Sequence, residues 1–149
     1  LEYRLNAAIK FGADTSINAK DYSADMLRSL NQGRLADLVI VSTGSPSAIE
    51  QALESVERAG TVLFFAPTDK DNKIPLSFNA LFWRTEITLT SSYAGSPADY
   101  QEALDLIASK KLNLSDMITH RLSLSEIGQG FKLVAEAGES IKVIIYPQK

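Results

Sequence analysis

Few residues of this sequence could carry chemistry, and the best placed of them form a single turn. Thr43, Gly44 and Ser45 follow Leu38–Val41, an apolar run rich in β-branched residues. Such a run predicts a strand buried on both faces of a parallel sheet. Ligands of open α/β sheets bind outside the carboxyl ends of the strands, so this turn is a candidate ligand site. Glycine there would let the backbone approach a ligand closely, although simple chain reversal explains the turn equally well.

Residue types and motifs exclude several other kinds of site. The sequence has no cysteine, hence no thiolate metal site, and its single histidine, His120, cannot build a metal site unaided. A Ser-His-Asp centre is not supported, because no G-x-S-x-G elbow accompanies that histidine, and no Walker A motif is present. No pair of carboxylates stands in a context that suggests acid–base catalysis. We therefore expect His120 to have a structural role or to lie near a domain interface, and not to be catalytic.

The helices are predicted from apolar spacing and from the residues that start and stop them. Ser45 as N-cap and Pro46 as first helical residue predict a helix directly after the candidate turn. The other predicted helices contain Leu5–Ile9 with Gly12 as stop, Met26–Leu30 between Ser23 and Gly33, part of Pro75–Trp83, Tyr100–Ile107, and Ile127–Val134 between Ser125 and Gly138.

Strands are predicted between these helices, so the fold class is α/β with a mainly parallel sheet. The predicted strands are Thr15–Asn18, Leu38–Val41, Thr61–Phe65, Glu86–Thr90, Met117–Leu122 and Ile141–Tyr146.

Composition restricts the class of protein and its surroundings. The 149 residues suffice for one domain with a sizeable core, and a net charge of −3 without a basic stripe argues against nucleic acid as a partner. The apolar runs are too short to span a bilayer, and no signal-peptide pattern is visible, so a cytoplasmic protein without membrane partners is expected.

Six segments resemble the C-terminal part of the zinc-containing medium-chain alcohol and polyol dehydrogenases, nearest to the sorbitol and threonine dehydrogenases. They agree in order and spacing, and together they cover essentially the whole chain. The resemblance implies a partial Rossmann-like, doubly wound, mainly parallel sheet that lacks its first two strands. The segments are RLNAAIKFGAD (4–14), ADLVIVSTGSPSAIEQAL (36–53), GTVLFFAP (60–67), EITLTSSY (86–93), ITHRLSLSEIGQGF (118–131) and SIKVIIYP (140–147).

The resemblance also implies what this chain does not supply. In the family, an N-terminal catalytic domain provides Cys, His and Glu ligands to a catalytic zinc, and no segment here matches it. Residues 1–149 are then expected to form the C-terminal portion of a dinucleotide-binding domain that is inactive by itself. Without the first two strands, Leu38–Ser42 would have a free apolar edge. We expect the isolated chain either to rearrange its sheet or to oligomerise through that edge.

NAD or NADP is the cofactor that the resemblance implies, together with zinc bound elsewhere in the parent enzyme. Ala66 stands where the family usually has glycine, which puts close backbone approach in doubt at that position. The resemblance implies that Arg4 contacts the adenosine ribose, Thr43 and Gly44 line the dinucleotide cleft, Phe65, Ala66 and Pro67 touch the nicotinamide face, Ser91, Ser92 and Tyr93 bind its carboxamide through the backbone, and Lys142 reaches the pyrophosphate.

Each of these assignments has a simpler alternative. Arg4 could be a solvated residue on a helix face, and for Lys142 an ordinary strand-flanking lysine is the preferred interpretation. Ser91–Tyr93 could serve as a strand-to-loop connection with a subunit contact. Phe78, Phe82 and Trp83, with the phenylalanines at 64 and 65, are expected in the core or at a subunit interface.

The function implied for the parent enzyme is zinc-assisted oxidation of an alcohol or polyol, with hydride transfer to the nicotinamide. Two alternatives remain open: a nucleotide-binding module without catalysis, and an assembly piece. For the second, the family's segment at Glu86–Tyr93 pairs with its twin across a two-fold axis, implying a homo-oligomer. The sequence chooses neither the substrate nor between NAD and NADP.

Overall fold

The computed structural model describes residues 1–148, in which every strand pairing is parallel. Strands β1 (Ala36–Val41), β2 (Val56–Phe64) and β3 (Thr88–Ser91) form a sheet in the order β1-β2-β3, and β4 (Ile118–Ser123) and β5 (Lys142–Tyr146) form a second one. The prediction of an α/β fold with parallel sheets is therefore confirmed.

Six α-helices accompany the strands in the described residues, and none of them is long and apolar enough to cross a membrane. The chain divides into two compact units, of which one spans residues 19–94 and contains β1, β2 and β3. The other combines residues 1–18 with the chain from Gly95 onward and contains β4 and β5. The helices are α1 (Glu2–Lys10), α2 (Ala24–Leu30), α3 (Pro46–Ser55), α4 (Phe78–Phe82), α5 (Pro97–Ala108) and α6 (Ile127–Glu136).

The core of the 19–94 unit lies between one face of its sheet and helix α3. Val62, in the central strand, is completely buried, and Val41 of β1 and Ile49 of α3 are nearly so. Burying such side chains stabilises a fold by about 1.5–3 kcal/mol each, so this small cluster holds the strands in register. That register in turn sets where each strand ends.

The prediction that Leu38–Val41 is buried on both faces is wrong. Val39 and Val41 point toward the core, whereas Leu38 is 59% exposed and Ile40 56% exposed. The reason is that successive strand residues face opposite sides of the sheet, and only one side is covered by α3. Strand β1 is also an outer strand, as expected from the free edge predicted for Leu38–Ser42, while oligomerisation through it stays a prediction.

Thr15–Asn18 is not a strand, which corrects the sequence prediction. The segment belongs to neither sheet of the described chain, and an extended segment becomes a strand only when it joins a ladder. Strand β3 likewise starts two residues later than predicted. Glu86 adopts a left-handed backbone with φ of 58°, which does not fit a strand ladder.

Helix ends follow the predicted punctuation in part. Ser23 accepts a hydrogen bond from the Met26 amide at 3.2 Å and caps α2, as predicted. Helix α6 differs: Ser123 instead of Ser125 makes the capping box before it, and Ala137 instead of Gly138 takes the left-handed conformation that ends it. Glu126 explains the first difference, because its carboxylate accepts from the Ser123 amide at 2.8 Å.

Glu57 connects the starts of β1 and β2. Its carboxylate accepts the backbone N–H groups of Arg58 and Leu35, each at 2.9 Å. These two donors, Arg58 first, hold the pKa of Glu57 below its ordinary value of 4.5, and desolvation opposes them only in part. The charged carboxylate is therefore favoured in the folded chain.

We expect this carboxylate to make folding stability depend on pH in the acidic range. Its contribution is fully present above pH 4.5, where the unfolded chain is also ionised, and is lost as the pH falls below 4.5 through the lower folded pKa. Urea unfolding between pH 7 and pH 3 can be followed by the fluorescence of the sole tryptophan, Trp83. The free energy of unfolding should fall less over this pH range in Glu57→Gln than in the wild-type chain. If the free energy of unfolding depended on pH in the same way in both proteins, this assignment would be contradicted.

Candidate functional site

The parallel register brings three of the predicted segments to one edge of the β1-β2-β3 sheet. Val41 lies opposite Phe64, and Phe64 lies opposite Ser91. The turn after β1, the loop after β2 and the connection after β3 therefore leave the sheet side by side. We define the carboxyl edge as Thr43, Gly44, Phe65, Ala66, Pro67, Ser91, Ser92 and Tyr93, the residues for which the resemblance implies cofactor contacts in this unit.

Backbone contacts hold this carboxyl edge together. The amides of Phe65 and Ala66 both donate to the carbonyl of Val41, at 3.0 and 3.2 Å, and the Ser92 amide donates to Phe64 at 3.4 Å. Gly44 packs so closely on the loop after β2 that an added Cβ would lie 2.3 Å from the carbonyl oxygen of Pro67. Glycine is therefore required at position 44 by the neighbouring loop, and this physical reason holds whether or not a ligand binds.

Two aromatic rings stand open at the carboxyl edge. Phe65 directly follows β2 and is 60% exposed. Tyr93 lies shortly after β3 and is 98% exposed. The hydroxyl groups of Ser91 and Ser92 are on the exposed surface beside them. Open ring faces can pack on a planar ligand, and hydroxyl and backbone groups can hydrogen-bond an amide at its rim.

The start of α3 adds a polar feature next to the same turn. Ser45 occupies the N-cap position as predicted, but its hydroxyl bonds to Ser47 at 2.9 Å and does not cap the helix. Its amide donates to the Thr43 hydroxyl at 3.4 Å, a long bond. The positive end of the α3 dipole is thus left without a side-chain acceptor, an arrangement that favours negative charge nearby.

Arg4 and Lys142, the two predicted basic contacts, belong to the other unit of the chain. Arg4 donates from Nη2 to the carbonyl of Ser140 at 2.9 Å, and Lys142 is an exposed residue at the first position of β5. The structure thus brings eight of the ten predicted residues together in the 19–94 unit and places these two in the unit that contains β4 and β5.

His120 lies in β4 and contacts the residue before it. Its Nδ1 lies 3.0 Å from the hydroxyl of Thr119, a residue that is skipped where the register of β4 and β5 shifts. That hydroxyl also accepts from the amide of Ile141 and donates to the carbonyl of Lys142. Thr119 therefore replaces the missing ladder bonds at a β-bulge, a role that sequence reasoning missed because a bulge depends on the partner strand.

The residues present do not fit a zinc site. In residues 1–148 no group of three or more His, Asp or Glu side chains lies close enough together to hold a metal ion, and the sequence has no cysteine. Four-coordinate zinc needs at least three protein ligands in its catalytic sites. The described residues therefore supply no metal ligand set.

Comparisons with known proteins agree with the segments described above. A family profile described as "Zinc-binding dehydrogenase" matches residues 1–109. Sorbitol dehydrogenase from Halalkalibacterium halodurans is 28% identical over 98% of this chain, and L-threonine 3-dehydrogenase from Bacillus subtilis is 30% identical over 98%. Each match covers 42% of the relative, so the chain spans about two fifths of the length of these proteins.

Solved structures show the same fold. The crystal structure of an alcohol dehydrogenase from Thermotoga maritima superposes with a TM-score of 0.84 at 24% identity, over 96% of this chain and 40% of that one. At this identity the likeness establishes the arrangement of helices and strands.

Proposed function

The chain belongs to the zinc-binding dehydrogenase family, and on this premise we propose that its carboxyl edge binds the nicotinamide dinucleotide of an alcohol- or polyol-oxidising enzyme. The observation that carries the proposal is the convergence of three strand ends, with Gly44 packed against Pro67 and two aromatic rings left open. Ligands of open parallel sheets bind at this end.

The side chains at the carboxyl edge fit the nicotinamide half of such a cofactor. Phe65 and Tyr93 offer open rings to a planar heterocycle, and the backbone after Ser91 offers hydrogen bonds to a carboxamide. When bound, the nicotinamide accepts a hydride from the alcohol. The residues named here would bind and orient it, and the zinc ligands would have to come from outside residues 1–148.

Binding of NAD⁺ and NADP⁺ tests the proposal. Calorimetric titration should detect binding of NAD⁺ or of NADP⁺ to the chain. Phe65→Ala should weaken the affinity for that dinucleotide about tenfold, as expected for the loss of one large ring contact. Phe78→Ala is the matched control, because Phe78 is similarly exposed in the same unit but lies outside the carboxyl edge. Equal losses in both variants, or no binding of either dinucleotide, would refute the proposal.

Activity of the chain alone is a separate question. Because the described residues hold no metal ligand set, we expect no zinc-dependent oxidation of sorbitol, threonine or a simple alcohol above a blank. These substrates are chosen because relatives are named for two of them. Measurable zinc-dependent turnover by the purified chain would contradict this expectation.

Assembly is a second candidate role, supported by the position of β3. This strand is one of the two outer strands of its sheet, and the exposed rings of Phe78 and Trp83 precede it in the chain. A free strand edge of this kind can pair with a second copy. We propose that Glu86–Tyr93 joins two chains into a homodimer.

A charge on β3 tests this role. Thr90→Lys places a lysine on an exposed strand residue and should shift the chain from dimer to monomer in sedimentation equilibrium. Leu89, the neighbouring residue, is unsuitable because it packs against the core, so its substitution would also destabilise the fold. A dimer that persists in Thr90→Lys, or a wild-type chain that is monomeric, would remove the assembly role.

A further inference from the structure

A cavity of about 650 Å³ is lined by residues from the last turn of α5 to the first residue of β4. It lies within one compact unit, the one that combines residues 1–18 with the chain from Gly95 onward. Large apolar side chains stand open in its wall, since Ile107 is 44%, Leu112 46% and Leu114 38% exposed. Cavities of roughly 300–1,000 Å³ with mostly apolar walls are the usual sites of small-molecule ligands.

The polar residues that line this cavity suit an anion. Lys110 is exposed and, among the described residues, forms no ion pair. The side-chain oxygen of Asn113 accepts from the Ser115 amide at 3.3 Å, which leaves the N–H groups of the Asn113 side chain to donate. The described residues that line the cavity include no carboxylate. Its polar part therefore favours a negatively charged group.

The backbone at Lys110 has a conformation that favours glycine. Its φ is 58°, its amide donates to the Ile107 carbonyl at 3.0 Å, and the Lys111 amide donates to the Leu106 carbonyl at 3.2 Å. These two bonds end α5 in a Schellman motif, in which the left-handed residue is usually glycine. The helix end therefore does not require a lysine, and glycine at position 110 is compatible with the fold.

We propose that this cavity binds a small amphipathic carboxylate, a free fatty acid of medium chain length. Its apolar chain packs against Ile107, Leu112 and Leu114, and its carboxylate meets Lys110. The apolar walls contribute through the area that they remove from water, and the lysine adds a charge-assisted hydrogen bond to the head group. A cationic amphiphile gains the first contribution and is repelled by the lysine, so the charge of the lining residues selects the carboxylate.

Methyl NMR titration of the chain with octanoate, below the concentration at which octanoate forms micelles, tests the proposal. Saturable shifts are expected at the methyl groups of Ile107, Leu112 and Leu114, and octyltrimethylammonium should bind at least about tenfold more weakly. Equal affinity for the two amphiphiles, or no saturable shift at these methyl groups, would overturn the proposal. If the same shifts appear when the chain is concentrated without octanoate, these side chains meet a second copy, and the proposal is also wrong.

Substitutions at Lys110 test the role of its charge. Lys110→Gln and Lys110→Gly should each weaken octanoate binding about fivefold, the upper end for an exposed charge pair, whereas Lys110→Arg should retain it. The glycine variant guards against a folding defect, since glycine suits a φ of 58°. Lys132→Gln is the matched control, because Lys132 is an exposed lysine of the same unit that lies on α6, outside the cavity. Equal losses in Lys132→Gln and Lys110→Gln would mean that only net charge matters, and would overturn the proposal.

Discussion

Gly60→Ala is expected to lower the free energy of unfolding of the 19–94 unit by about 2–3 kcal/mol, at the upper end of overpacking penalties. An added Cβ would lie 2.7 Å from the Glu57 carbonyl oxygen, 2.8 Å from Val56 Cγ2 and 3.0 Å from the Asp37 carbonyl oxygen. Two of these neighbours are backbone atoms, one within β2 itself and one in β1, so the alanine can fit only if the backbone of β2 changes and β1 moves away.

The movement would disturb the buried core of this unit. Val56 is 4% exposed and belongs to the buried cluster, and Ala59 next to Gly60 already adopts a left-handed backbone with φ of 60°. Such a conformation costs a non-glycine residue about 1–2 kcal/mol, so the turn has little tolerance for further strain. Urea unfolding followed by Trp83 fluorescence measures the loss.

Gly128→Ala is the control for this prediction. Gly128 lies inside α6, and an added Cβ would meet no atom within 4 Å. Alanine is favoured over glycine in helices by up to about 0.5–1 kcal/mol, a gain that is smaller in the first turn, where Gly128 lies, so thermal unfolding followed by circular dichroism should show this variant to be at least as stable as the wild type. If Gly60→Ala had the same urea midpoint of unfolding as the wild type, the prediction would be wrong, and the backbone near Asp37 would have moved to admit the added Cβ without loss of stability.

Gly44→Ala is expected to weaken dinucleotide binding and to destabilise the carboxyl edge. The added Cβ would lie 2.3 Å from the Pro67 carbonyl oxygen and 3.3 Å from the Thr68 Cα, so the turn after β1 and the loop after β2 cannot keep their contact. Affinity should fall by at least about tenfold, which corresponds to about 1.4 kcal/mol of lost binding energy, because the residues on both sides of this contact would be displaced. Calorimetric titration with NAD⁺ and NADP⁺ measures the loss.

The chain contains a closely matched control for this substitution. Gly95 begins a second Gly-Ser-Pro turn, but an added Cβ there would be 3.5 Å from the Tyr100 ring, an ordinary contact distance. Gly95→Ala should therefore leave both stability and binding unchanged. If Gly44→Ala binds a dinucleotide as the wild type does, the carboxyl edge is not the site, even though the packing argument for Gly44 would stand.

The sequence alone was enough to establish local structure and the fold class. The Leu38–Val41 run, the Ser23 cap and the Ser45-Pro46 helix start all lie in the elements predicted for them, because they depend on neighbours a few residues away. Six segments in order also identified the family, since their spacing is a property of the chain itself.

Only the tertiary structure decided which residues meet. Leu38 and Ile40 are open because a single face of the sheet is covered, and Thr15–Asn18 is no strand because no partner strand stands beside it. Arg4 meets Ser140, and Thr119 bonds across a bulge, through contacts between residues far apart in sequence. Apolar spacing predicts which face of a helix or strand can be buried. Whether that face is covered, and which residues form strand ladders and long-range hydrogen bonds, depends on a second element, and the spacing does not tell where that element lies.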